Sequence, residues 1–387
     1  MIHQRLSSFL KKRRCTLIGV GPMSQNCVDA SIELANDYKV PIMLIASRRQ
    51  IDAADLGGGY VNGWATEQFA EYVIDRDKQG KIFLARDHGG PWQNDREKGA
   101  RLSFRRAMES AKHSYRVDIE SGFQILHIDT SVDIFSDPNV DEALDRLFEL
   151  YEFCWSTAQK LGTDVAFEIG TEEQSGSTNT QEELDYTLNQ VFSFCRQYNL
   201  PQPTFVVIQS GTRVMETRNV GSFDSPIRVA DELPAEIQLP KMIEICERYG
   251  IFMKEHNTDY LSDESLQWHP RFGIHAANVA PEFGVTESRT LINLLEQYAL
   301  SHLSNRFLEI AYDSRKWEKW LLPDSSADER ERAIIAGHYV FADPKVLELK
   351  REAQSSLASK KVDLDALLKE AVKSSILRYL KNFRLVS

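Results

Sequence analysis

The sequence predicts an α/β fold: a (β/α)8 barrel of the TIM type with a C-terminal helical extension. Three observations predict it. Eight short, apolar, β-rich runs follow one another between Thr16 and Ala276. Amphipathic helical stretches follow nearly all of them. The alternation occupies roughly 300 residues and then stops, which suits one barrel followed by something else. A doubly wound open sheet is the competing arrangement.

The expected strands are Thr16–Val20, Pro41–Ala46, Lys81–Ala85, Gln124–Asp129, Asp164–Glu168, Thr204–Gln209, Ile251–Glu255 and Phe272–Ala276. The expected helices between and after them include Val28–Tyr38, Glu97–Tyr115, Val140–Leu161, Glu182–Tyr198, Pro240–Tyr249 and Glu287–Ser301. This assigns residues 1–302 to the barrel and 303–387 to the extension. In the extension, Asn305–Trp320 is aromatic and charged, and Pro323–Arg330 is a polar linker. Lys345–Ala358 and Leu364–Asn382 have helical patterns, with Asp363 as an N-cap.

Bulk properties exclude several classes. The chain has 387 residues, 42% hydrophobic and 27% charged, which is ordinary globular composition. A net charge of -11 argues against a general nucleic-acid or anionic-membrane binder, while leaving room for a local basic pocket. The five cysteines form no CxxC pair, so neither a disulfide framework nor a zinc-thiolate site is expected. No run approaches the ~18 apolar residues of a membrane helix. The N-terminal segment has no apolar signal core, and a cytoplasmic location is expected.

Chemistry-bearing residues gather at the carboxyl ends of the expected strands, the edge where such folds carry their sites. The second strand leads into Ser47-Arg48-Arg49-Gln50 and Gly57-Gly58-Gly59-Tyr60. The third ends in Asp87-His88-Gly89-Gly90-Pro91, and the fourth in His127-Ile128-Asp129. The fifth ends in Glu168-Ile169-Gly170-Thr171-Glu172, and the sixth in Gln209-Ser210-Gly211. The seventh ends in Glu255-His256-Asn257-Thr258-Asp259; the eighth carries His275 and ends near Asn278. Imidazoles with a carboxylate suit zinc or a similar divalent ion. His88 and His256 are the first ligand candidates, with Glu168 or Glu172 as the third and His127 as a substitute. His127 and His275 could equally be hydrogen-bonded core histidines. Arg48 and Arg49 can grip an anion through paired hydrogen bonds, and the glycines could bring backbone N–H groups to a phosphate. The sequence has no P-loop and no G-x-S-x-G elbow.

In this order, the motifs resemble the second, so-called non-catalytic, subunit family of D-tagatose-1,6-bisphosphate aldolase. That family is related to the metal-dependent class II aldolases. The resemblance runs from about Leu17 to Gly337-His338-Tyr339. It implies that Asp87 moves a proton and that His88 and His256 hold a metal. It further implies that Asn278 serves the dihydroxyacetone-phosphate end, with Glu172 a further catalytic candidate. Gln50, Gly59, Asp129, Gln209 and Asp259 fall on the substrate side, with Arg48 and Arg49. Two departures accompany it. Gln209 stands where catalytic subunits carry a third histidine ligand. Arg48-Arg49 and Glu173-Gln174-Ser175 replace the family's usual residues. The implied function is retro-aldol chemistry, either cleavage or C4 epimerisation, on a ketose or ketose phosphate. The alternative is a non-catalytic subunit that stabilises a separate aldolase. The expected partners are a sugar or sugar phosphate and either an aldolase subunit or further copies of this chain.

Overall fold

The computed structural model describes residues 1–136, 138–170, 180–224 and 234–387. Eight parallel strands close into a barrel in the order β1-β10-β9-β6-β5-β4-β3-β2. They are β1 (Leu17–Val20), β2 (Ile42–Ser47), β3 (Ile82–Asp87), β4 (Ile125–Asp129), β5 (Ala166–Gly170), β6 (Phe205–Val207), β9 (Phe252–Glu255) and β10 (Ala276–Val279). β7 (Val214–Met215) and β8 (Arg218–Asn219) form a separate hairpin beyond the sixth barrel strand. Strands buried on both faces need near-continuous apolar runs, which these have.

The helices around the barrel are α1 (Ile2–Lys12), α2 (Gln25–Tyr38), α3 (Thr66–Arg76), α4 (Asp95–Gly99), α5 (Phe104–Glu120), α6 (Val140–Leu161), α7 (Gln181–Tyr198), α8 (Ala235–Tyr249), α9 (Asp263–Phe272) and α10 (Pro281–Gln297). Beyond them lie α11 (Ser301–Asp313), α12 (Glu329–Ala336), α13 (Pro344–Ala358) and α14 (Leu364–Asn382). Local chemistry sets many ends. Asn139 and Thr180 close capping boxes at the starts of α6 and α7. Gly162 ends α6 in the left-handed conformation, and Asp363 caps α14.

Three expectations need correction. The eighth strand is Ala276–Val279, not Phe272–Ala276. Phe272 closes α9, which starts at a Ser262 cap and stops at left-handed Gly273. The expected helix Glu97–Tyr115 is two helices, separated by left-handed Arg101 and restarted at Ser103. Helices α3 and α9 were not among the expected segments.

The extension does not hang free. Leu303 and Phe307 of α11, Leu349 of α13 and Leu368 of α14 share a core with Leu291 and Leu295 of α10. Farther along α14, Val372, Ile376, Tyr379 and Leu380 enter the main core of the barrel. Fully burying one such side chain contributes about 1.5–3 kcal/mol, so α14 binds the extension tightly to the barrel wall. It reaches the rim as well. Tyr379 Oη donates to Glu282, and the Tyr260 amide also donates to Glu282, at 2.6 Å.

Candidate metal centre and rim pocket

The period-2 alternation of strands turns His127, Glu168, Lys254, His256 and Asn278 into the barrel. His127 and Glu168 lie opposite each other in the β4–β5 register. His256 follows β9 directly, and Asp87 ends β3. The four donor residues Asp87, His127, Glu168 and His256 converge, all buried. Asp87 Oδ1 lies 3.6 Å from His127 Nδ1 and 3.7 Å from His256 Nε2. Glu168 Oε1 lies 3.3 Å from His256 Nε2 and 3.7 Å from His127 Nδ1. Donors about 2.1 Å from a tetrahedral ion stand about 3.4 Å apart, so these spacings fit a divalent cation. Buried His127 Nε2 has no hydrogen-bond partner among the described residues.

His88 stands beside this group. Its ring centroid is 5.1 Å from that of His256 and 5.4 Å from that of His127. Its Nδ1 is 2.6 Å from Asp129 Oδ2, and its Nε2 is 3.7 Å from Asp87 Oδ2. A metal-binding histidine commonly has its second nitrogen held by a carboxylate in this way. Asp129 is held in turn by Gln93 Nε2 at 2.8 Å and by Ser131. His88 adopts a left-handed backbone, φ 48°. The loop packs closely on the end of β4 because Gly90 has no side chain: a Cβ there would lie 1.6 Å from the Asp129 carbonyl oxygen.

Burial by itself would raise the carboxyl pKa values here, but neighbouring cations and imidazoles reverse that. Asp87 is held far below the usual carboxylate range by His88, His256 and His127. Glu168 is brought to about 2, chiefly by Lys254 and then by the imidazoles. Burial lowers His256, favouring the neutral ring that a metal needs. For His88, burial is overcome by Asp87 and Asp129, which push it up to about 9.

Above the cluster opens a pocket of roughly 240 Å³. Arg49, Gln50, Asp87, His88, His256, Asp259 and Asn278 line it, together with Lys319, Trp320 and Tyr339 from the extension. Asn278 Nδ2 donates to Asp87 Oδ1 at 3.3 Å. Asn278 fits because Gly19 has no Cβ, which would lie 2.2 Å from its Oδ1.

Other expected residues turn out differently. Arg48 is fully buried and bound to Asp52, Glu97, Ser110 and the Gly90 carbonyl, so its charge holds the loops together and does not face a ligand. The amides of Gly57, Gly58 and Gly59 all donate to carbonyls within their own loop, leaving no phosphate cradle. Gly59 is needed sterically, since a Cβ there would lie 1.9 Å from the Gln50 carbonyl oxygen. Gln50 Oε1 accepts from the Ser47 amide and hydroxyl. Asp259 accepts from the amides of Ala280 and Glu282 and so anchors the start of α10 as well as lining the pocket. Gln209 is buried just after β6 and does not line the pocket. His275 sits ahead of β10 and accepts from the Met253 amide. Glu172 lies outside the described residues.

The sequence reading missed Lys254, whose Nζ is 2.6 Å from Glu168 Oε2. Its signal was a lysine two residues before His256, directly after the apolar run Ile251-Phe252-Met253. It also missed the wall formed by Lys319, Trp320 and Tyr339, for which alternation offers no cue.

These features define a TIM-barrel protein with a candidate metal centre at the carboxyl ends of its strands. The chain belongs to the D-tagatose-1,6-bisphosphate aldolase subunit GatZ/KbaZ-like family, whose model matches residues 6–296. Its fold is similar to that of a probable tagatose 6 phosphate kinase from Sinorhizobium meliloti 1021. That match has 18% identity and a TM-score of 0.75, covering 95% of this chain and 100% of the other. It is also similar to a fructose-bisphosphate aldolase from Campylobacter jejuni, at 12% identity and TM-score 0.55, covering 99% and 94%. A fructuronate-tagaturonate epimerase from Cohnella laeviribosi matches at 12% identity and TM-score 0.55, covering 96% and 81%.

Proposed function

We propose that this chain is a divalent-metal-dependent enzyme that breaks, or breaks and re-forms, the C3–C4 bond of a ketose or ketose phosphate. The observation that carries the reading is the convergence of His127, Glu168 and His256, with His88 beside them and Asp87 at the edge of the group, beneath an open rim pocket. His88, His256 and Glu168 hold the ion, with His127 as the additional imidazole. Zinc suits this mixed nitrogen and oxygen donor set. When bound, such an ion stabilises negative charge on the substrate oxygens.

The remaining work falls to the chain's own residues. Asp87 is ionised and faces the pocket, so it accepts the C4 hydroxyl proton. The C3–C4 bond then breaks, its electron pair stays on C3 as an enediolate, and C4 becomes an aldehyde. Asn278 steadies Asp87 through its amide. Gln93 and Asp129 fix the ring of His88. Lys254 keeps Glu168 ionised and occupies one of its oxygens. Arg49 and Gln50 bind the substrate's polar end. Protonation of the enediolate at C3 and release of both fragments gives an aldolase; turning the aldehyde and re-forming the bond, with the proton on Asp87 returned to the C4 oxygen, gives a C4 epimerase. Five free, buried thiols suit a reducing, cytoplasmic setting.

A second reading has its own support: a subunit that stabilises a separate aldolase. The family's description is that of an aldolase subunit. Gln209 also stands where a catalytic subunit would carry a histidine. The test is metal content and ketose turnover of the purified chain alone. Stoichiometric metal with turnover supports the enzyme. A metal-free, inert chain that activates a separate aldolase supports the subunit.

A further inference from the structure

The loop that brings His256 and Asp259 to the rim pocket runs from His256 to Leu261, between β9 and α9. Two of its residues adopt the left-handed backbone without being glycine: Asn257 at φ 59° and Tyr260 at φ 64°. Asparagine tolerates that region, but a bulky side chain such as tyrosine does not favour it. Such a conformation persists where the surroundings over-determine it.

The surroundings do so residue by residue. The His256 carbonyl accepts from Thr212 Oγ1 at 2.6 Å. Asn219 Nδ2 donates to the carbonyls of Asn257, at 2.8 Å, and of Asp259, at 3.0 Å. The Thr258 amide donates to the Asn278 carbonyl at 3.1 Å. At the exit of the turn, the Tyr260 amide donates to Glu282 Oε2 at 2.6 Å, and Arg378 Nη2 donates to the Leu261 carbonyl.

The exit is therefore held from α14. Tyr379 Oη donates to the same Glu282 oxygen, and Arg378 Nη1 lies 3.4 Å from the other one. The Tyr260 amide also reaches Tyr379 Oη, at 3.2 Å. Arg378 Nε donates to Asp263 at the start of α9, at 2.6 Å. Tyr379 is fully buried, with its ring 5.8 Å from those of Phe283 and Phe383. Phenylalanine would fill that space equally well, so packing does not account for the hydroxyl; its contacts with Glu282 and Tyr260 do. Thr212 and Asn219 fix the entry of the turn and Glu282 its exit. A segment with two left-handed residues relaxes once either end is released.

We propose that Tyr379 and Arg378 are positioning residues for the rim pocket: through Glu282 they hold the left-handed turn at Tyr260 and so place His256 and Asp259. The C-terminal extension is then part of the site's machinery as well as a brace on the barrel wall. The consequence for a metal rests on the catalytic reading above; the control of the turn does not.

The test uses the full chain as wild type, Tyr379→Phe, Arg378→Ala and Val372→Ala. Val372 is fully buried on the same helix and makes no contact with Glu282, so its variant reports packing loss alone. Amide hydrogen exchange reads the segment 256–261, and competition with a chromogenic chelator reads zinc affinity. Tyr379→Phe speeds exchange of the segment about tenfold, as expected for losing a hydrogen bond to a charged group. Zinc binds about tenfold more weakly, the usual loss when the partner that orients a ligand is removed. The visible absorption of the cobalt-loaded protein shifts with it. Arg378→Ala moves all three readouts in the same direction. Val372→Ala lowers Tm and leaves them at wild-type values. Wild-type exchange or wild-type zinc affinity in Tyr379→Phe overturns the proposal, and so do equal changes in Val372→Ala. If wild type takes up no zinc, the catalytic reading fails and exchange alone decides: faster exchange in Tyr379→Phe than in Val372→Ala supports the control of the turn, and equal exchange overturns it.

Discussion

Replacing Lys254 with Met should destabilise the protein by about 3 kcal/mol, a cost that can be worked out from the structure. Lys254 and Glu168 are each 1% exposed, and their charged atoms are 2.6 Å apart. Removing one partner of a buried pair typically costs about 3–5 kcal/mol, because the remaining charge is left desolvated. Linkage gives a similar figure for all the groups that keep Glu168 ionised, Lys254 first and the imidazoles after it. The folded-state carboxyl of Glu168 titrates at about 2 instead of its ordinary 4.5. At 1.36 kcal/mol per tenfold change, that difference is about 3 kcal/mol. Since the folded pKa is the lower one, this stability is present above about pH 4.5 and is lost as pH falls towards 2. Unfolding entropy of ~2.1 cal/mol/K per residue gives the chain about 0.8 kcal/mol/K, so Tm should fall by about 4 °C. The assay is thermal melting at neutral pH in the presence of a chelator, for Lys254→Met, Glu168→Gln and the double variant. The double variant should recover most of the loss, since neither group is then charged and unpaired. A Lys254→Met chain that melts within 1 °C of wild type would refute the reasoning.

Three further outcomes are expected. His256→Ala should abolish stoichiometric metal, read by elemental analysis; unchanged content would reject the ligand assignment. Asp87→Asn should lower turnover by ~10²–10⁴-fold while the chain stays folded and metal-loaded, the usual worth of a positioned proton transfer. Gly90→Ala should destabilise by about 1–3 kcal/mol in chemical denaturation, because its Cβ would press on the Asp129 carbonyl.

The barrel was legible because buried parallel strands write themselves as apolar runs, and seven of the eight expected strands overlap the observed ones closely. The eighth was displaced because Phe272-Gly273-Ile274 is as apolar as a strand, while the Ser262 cap that makes Phe272 helical lies ten residues away. Strand alternation also identified the inward histidines. What alternation could not distinguish was the partner of each group. Arg48 and Arg49 are adjacent in sequence, yet one is neutralised in the core by Asp52 and Glu97 and the other lines the pocket. His127 reads the same whether it is a core residue or a ligand until Asp87 and Glu168 are seen within 3.7 Å. The pocket wall from the extension depends on contacts between residues far apart in sequence, such as Tyr60 with Tyr339, and no local pattern encodes those.

The most direct test of the central claim is to incubate the purified, metal-loaded chain alone with ketose phosphates and follow both aldehyde release and C4 inversion. The account predicts metal-dependent turnover by one of these routes, removed by chelation and reduced ~10²–10⁴-fold by Asp87→Asn. A metal-loaded wild-type chain that turns over no ketose, or an Asp87→Asn chain as active as wild type, would contradict it.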